Sequence, residues 1–172
     1  MIRDQVLQVL DRLGIHYAVI GAVAVAARGA TRSTLDFDLL TTDRRVFEPS
    51  VWAELRGSSV IDIRKGDFDD PLAGVVRIGS KPEQIDIVVG KWKWEQRVID
   101  RAQIIDLQGL ALRVPITSDL ILLKLAAGGP IDRQDIVRLL AVGPRDQVIS
   151  EVNEKIGDLP ADARDLWQRL LR

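Results

Sequence analysis

An α+β fold is predicted: an N-terminal part in which strands and helices are interspersed, followed by helices that pack on it. Three observations predict it. Short apolar runs with strand-like alternation recur between helical stretches up to Pro115. Turn-rich links such as KGDFDDP and GSKPE separate those runs. Beyond Pro115 the apolar positions recur at helical spacing. The expected division is an α/β core over residues 1–115 and a helical region over residues 116–172, packed on the core.

The first helix is read from Ile2, Val6, Val9, Leu10 and Leu13, which Gly14 stops. Tyr17 to Ile20 is a short buried strand. Gly21 breaks it, and the alanine-rich stretch Ala22 to Arg28 has high helix propensity and ends at Gly29. Leu35 to Thr41 is a strand with Leu35, Phe37 and Leu39 on one face and Asp36 and Asp38 on the other. Asp43 caps an expected helix that runs to Leu55, with Val46, Val51 and Trp52 on its buried side. Three strands follow at Val60–Ile63, Gly74–Ile78 and Gln84–Val89; in the last, Asp86 faces away from Ile85 and Ile87. A helix over Lys91–Arg101 precedes two short strands, Gln103–Leu107 and Leu110–Val114. Thr117 or Ser118 caps a helix that stops at Gly128, and further helices are expected near Ile131–Val142, Arg145–Ile156 and Ala161–Leu170.

Composition narrows the function classes. Lys and Arg number 24 against 25 Asp and Glu, so no basic character is spread over the whole chain as in many nucleic-acid binders. There is no cysteine, which removes disulfides and thiolate metal sites and suits a cytoplasmic protein. Charges interrupt the N-terminal apolar pattern, so it is no signal peptide, and the run from Tyr17 to Ala27 is too short to span a bilayer.

The chemistry concentrates between Tyr17 and Thr41. Two carboxylates two residues apart on a strand, Asp36 and Asp38, leave it on one side. Asp86 has the same alternation on a later strand. If that strand pairs nearby, three like charges converge, and a divalent cation relieves their repulsion. Oxygen ligands without His or Cys favour Mg²⁺ or Mn²⁺ over zinc. The Gly21-Ala22 turn at a strand-to-helix junction lets a phosphate approach the backbone N–H groups. Arg32 and Thr34 precede the aspartates, within reach of phosphate oxygens. Taken singly, each piece has a plainer reading: a solvated D-x-D face, a tight turn, surface arginines at positions 28 and 32. His16 reads as structural. Trp92 and Trp94 alternate with Lys91 and Lys93, a mixture that suits either base stacking or a half-buried helix.

In this order the pieces resemble the signature of the DNA polymerase β-like nucleotidyltransferase superfamily: strand, small-residue turn, helix, D-x-D strand, and a third carboxylate on a later strand. The stretch RSTLDFDLL is similar to that of small bacterial members, among them the AbiE-type toxin nucleotidyltransferases. The resemblance extends to DLILLKLAAGGPIDRQDIVRLL, where Lys124, Asp132 and Asp135 match a lysine-bearing helix and an aspartate-rich helix start. It implies the minimal nucleotidyltransferase fold, a mixed twisted sheet flanked by helices, and Mg²⁺-dependent transfer of NMP from an NTP to a hydroxyl. Asp36, Asp38 and Asp86 would then be the catalytic, metal-binding set, and Gly21, Ala22, Arg32, Thr34 and Lys124 the nucleotide-binding set. The toxin relatives imply tRNA as acceptor and an antitoxin protein as partner; the near-neutral charge argues against an extended RNA interface, and a small hydroxylated molecule or a protein side chain is the alternative acceptor. Lys124 also reads as a lysine that snorkels from an apolar helix, and acids at positions 132 and 135 favour a helix dipole whatever the function. The family's second turn residue is usually Ser or Gly, and here it is Ala22. That departure motivates a second expectation, a non-catalytic module that keeps the fold and acts through a protein partner.

Overall fold

The computed structural model describes residues 1–31, 36–55 and 61–172. Its main sheet has the strands β1 (Ala18–Ile20), β2 (Phe37–Thr41), β3 (Ile61–Lys65), β4 (Gly74–Ile78) and β5 (Ile85–Val89), in the order β1-β2-β5-β4-β3. β2 and β5 run parallel; every other pairing is antiparallel. The sheet is therefore mixed. Alternation on β4 and β5 buries Val76, Ile78, Ile85, Ile87 and Val89 on one face. It leaves Val75, Arg77, Asp86 and Val88 half-buried on the other.

Helices α1 (Ile2–Arg12), α2 (Gly21–Ala27) and α3 (Lys93–Asp100) accompany this sheet. α1 buries Val6, Val9 and Leu10, as its spacing predicts. Strands β6 (Gln103–Leu107) and β7 (Leu110–Val114) form a separate antiparallel hairpin. Arg28 at the end of α2 ties that hairpin down. Its Nε donates to the Pro115 carbonyl at 2.7 Å, and its terminal nitrogens donate to Val114 O at 3.1 Å and Gln103 Oε1 at 3.2 Å. Burial holds this guanidinium below its ordinary pKa. Arg28 is thus a structural clamp rather than a surface charge.

Four helices complete the chain: α4 (Thr117–Ala127), α5 (Pro130–Val142), α6 (Arg145–Lys155) and α7 (Ala161–Leu170). α4 touches the other three. It buries Leu120, Ile121, Leu122 and Leu125, so it is apolar nearly all round, as a central helix must be. Among the described residues no helix is long and apolar enough to cross a membrane.

Local departures from expectation have physical reasons. The helix expected from Asp43 to Leu55 is two 3₁₀ segments, Arg44–Phe47 and Pro49–Leu55. Pro49 lacks an N–H and drives Glu48 into an extended conformation, which breaks the run. Asp43 still caps it by accepting from Arg45 N at 2.9 Å. α3 begins at Lys93, later than expected, because the Glu95 carboxylate accepts from both Lys91 N and Trp92 N and fixes the start there. Neither Thr117 nor Ser118 is the N-cap of α4; that position is Ile116. The Ser118 hydroxyl accepts instead from Lys155 Nζ at 3.0 Å.

Candidate active site

Asp38 and Asp86 are register partners on the parallel pair β2 and β5. Their backbones are thus neighbours at the ordinary strand spacing of about 4.8 Å, and both side chains leave the sheet on the same face. β1 ends at Ile20, directly beside Asp38 in register, and the chain turns at Gly21 with φ +67°. A Cβ at Gly21 would overlap the Asp38 carboxylate. Only glycine meets both demands, so the turn brings backbone and carboxylate into direct contact.

A cleft of about 670 Å³ lies over this face. Gly21, Asp38, Arg77 and Asp86 line it from the sheet, and Leu123 and Lys124 line it from α4. The loop after β3, including Asp70 and Leu72, also lines it. Lys91 holds that loop in place by donating to the carbonyls of Asp67, Phe68 and Asp70 at 2.9, 2.8 and 2.6 Å. A second cavity, about 530 Å³, is lined by Asp36, Asp38, Arg77, Lys81, Gln84 and Asp86. Asp38, Arg77 and Asp86 line both.

Arg77 was not among the residues singled out from the sequence. It stands opposite Asp86 across the antiparallel pair β4 and β5. Its Nε and one terminal nitrogen donate to the two Asp86 oxygens at 2.9 and 3.0 Å, and Gln84 Nε2 donates to Oδ1 at 3.0 Å. The carboxylate raises the Arg77 pKa above its ordinary value. A signal for this pair existed. The link between Ile78 and Ile85 folds a hairpin, and pairing those two residues sets Arg77 against Asp86.

Lys124 lies at the cleft wall and is largely buried, so it is no snorkelling surface lysine. Its Nζ lies 2.9 Å from both Asp132 Oδ1 and Asp135 Oδ2. Asp135 is wholly buried. The two acids at the start of α5 therefore hold Lys124 as well as suiting the helix dipole.

The remaining candidates divide. Asp36 is exposed, just before β2, and joins the other two carboxylates at the second cavity. Ala22 is 3% exposed with its methyl in the core, which leaves only its backbone for a ligand. Arg32 and Thr34 lie outside the described residues. Trp94 is buried and Trp92 exposed. Among the described residues no three acids stand close enough together to hold one metal ion. The donor set nevertheless suits a hard cation, since Asp38 and Asp86 are adjacent in register and Asp36 shares their cavity.

No family model matches the chain, and no curated protein matches it significantly. Solved structures do. The antibiotic-resistance factor ANT(2'')-Ia in solution superposes with a TM-score of 0.60 at 16% identity, over 90% of this chain and 89% of its own. ANT(2'')-Ia crystallised with adenylyl-2''-tobramycin gives 0.51 at 17% identity, over 99% and 95%. An antigenic nucleotidyltransferase-like protein from Paracoccidioides brasiliensis aligns over 91% and 88%, at 17% identity and a TM-score of 0.49. At such identity a likeness establishes architecture, and the architecture of this chain is the nucleotidyltransferase fold.

Proposed function

We propose that the protein transfers a nucleotidyl group from an NTP to an acceptor hydroxyl. The observation that carries this reading is the pair Asp38–Asp86, side by side at the junction of two cavities and against the Gly21 turn. Two adjoining cavities suit two substrates that must meet at one point.

In this reading the NTP occupies the larger cleft. The backbone at Gly21 and Ala22 faces its phosphates, and Lys124, held by Asp132 and Asp135, stands at the cleft wall; Arg32 and Thr34 are the further phosphate-binding residues that the sequence motif proposes. Asp36, Asp38 and Asp86 are the residues that would hold Mg²⁺ or Mn²⁺. Such an ion supplies charge neutralisation of the triphosphate and a lowered pKa for the attacking hydroxyl. The acceptor lies in the second cavity, where Asp86 orients its hydroxyl. The acceptor oxygen bonds to the α-phosphorus, the bond to pyrophosphate breaks, and the hydroxyl proton passes to a carboxylate and then to water.

The acceptor we favour is a small hydroxylated molecule. A cavity of about 530 Å³ suits one, and the fold neighbour ANT(2'')-Ia was crystallised with an adenylylated small molecule. A tRNA end is the acceptor that the toxin-like motif suggests, and with it an antitoxin partner.

A second reading has its own observation. Asp86 is already engaged by Arg77 and Gln84, and no three acids among the described residues converge on one point. A non-catalytic module that binds nucleotide and a protein partner fits that arrangement.

One experiment separates these readings. The protein is incubated with Mg²⁺, each labelled NTP in turn, and either bacterial tRNA or a panel of hydroxylated small molecules. The variant carrying both Asp36→Asn and Asp38→Asn is the control. Label transferred by the parent and absent with the control supports the transferase, and the labelled acceptor names its substrate class. Mg-NTP binding without transfer to any acceptor supports the module. Absence of both binding and transfer overturns the nucleotidyltransferase reading.

A further inference from the structure

Asp86 stands between opposite neighbours. On β2 its register partner is an anion, Asp38; on β4 it is a cation, Arg77. The Arg77 guanidinium grips both Asp86 oxygens, and Gln84 adds a second bond to one of them. A guanidinium keeps its charge at any physiological pH, so this neutralisation is permanent unless the pair parts. The pair is only partly buried, with Arg77 42% and Asp86 22% exposed at the side chain. At that exposure water or a cation can reach Asp86 and replace Arg77, at a cost that the two-pronged geometry raises above that of a single-point surface pair.

We propose that Arg77 sets the divalent-metal affinity of the site by competing for Asp86. This rests on the reading of Asp38 and Asp86 as metal ligands. In the metal-free protein Arg77 offsets the repulsion between the two carboxylates and keeps the face intact. Asp86 becomes a ligand only when its bonds to Arg77 are given up or shared. The site is therefore tuned to weak binding, and Arg77 acts through Asp86 as a positioning residue.

The test is a titration of Mn²⁺ alone into the nucleotide-free protein, followed by calorimetry and by loss of the free-ion EPR signal. The parent is compared with R77Q, R77K, D38N, D86N and the double variant D86N/R77Q, each checked for native far-UV circular dichroism. R77Q should bind Mn²⁺ about three- to tenfold more tightly than the parent. R77K keeps the charge but loses the two-pronged grip, so it should fall between them. In the D86N background R77Q should change nothing, because the carboxylate for which they compete is gone. If R77K matches the parent while R77Q binds more tightly, the effect is one of bulk charge and the proposal fails. It also fails if no Arg77 variant alters an affinity that D38N and D86N weaken; the metal centre then survives without it. An affinity indifferent to D38N and D86N overturns the metal reading and the proposal together.

Discussion

At the scale of single residues, the site depends on two contacts. Asp38 touches the Gly21 turn, and Asp86 meets Arg77. Asp38→Asn keeps size and shape but removes a charge from the junction of the two cavities. It should abolish divalent-dependent NTP binding while leaving the circular dichroism and melting profile near those of the parent; calorimetry with Mg-NTP checks this. Gly21→Ala adds a methyl where the Asp38 carboxylate sits, at a φ that costs a non-glycine residue about 1–2 kcal/mol. Loss of Mg-NTP affinity and a lowered denaturation midpoint should therefore appear together. The sequence showed the D-x-D pair, the later aspartate and the glycine turn, because alternation along a strand is local and can be read by eye. It did not show Arg77, whose position depends on a register between two strands. Nor did it show that Lys124 is buried between Asp132 and Asp135, since helix spacing gives a face but not what covers it.

At the scale of elements, buried charge does the joining. Asp119, fully buried at the start of α4, accepts from Arg101 at 2.8 and 2.9 Å and from Lys155 at 3.0 Å. One carboxylate thus links the end of α3 to α4 and α6. Asp119→Asn leaves two cations without their counter-charge and should cost about 2–4 kcal/mol in urea unfolding. Glu95 behaves differently. Burial raises its pKa above the ordinary 4.5, although two backbone N–H groups oppose the shift. The folded protein then holds this proton at pH values where the unfolded chain has lost it. Stability therefore falls as pH rises from about 4.5 through the raised value. Glu95→Gln keeps an acceptor for Lys91 N and Trp92 N without the buried charge. Its stability relative to the parent should increase across that window and level off above it, as denaturation at a series of pH values would show. Most element types were legible from periodicity. The exception, residues 44–55, failed because the period of its apolar residues is compatible with either helix type and Pro49 decided between them.

At the scale of the molecule, the mixed sheet and the helices after Pro115 meet across the cleft. α4 supplies its wall through Leu123 and Lys124. A helix that is apolar nearly all round announces burial in the sequence, but not the surface it will cover. Strand order was likewise beyond the sequence, because parallel pairing of β2 with β5 joins segments far apart in the chain. That pairing also bears on how the chain folds. β4 and β5 are joined by a short link, whereas β2 must close a long loop to reach β5, and short loops close first. Arg77 is therefore expected to neutralise Asp86 before Asp38 arrives beside it, so that the repulsive step meets a carboxylate already screened. Conservative truncations in β4 and β5 should slow refolding in proportion to the stability they remove, whereas truncations in β2 should mainly speed unfolding. Stopped-flow chevrons would show this order, and in R77Q the docking of β2 should become the slow step.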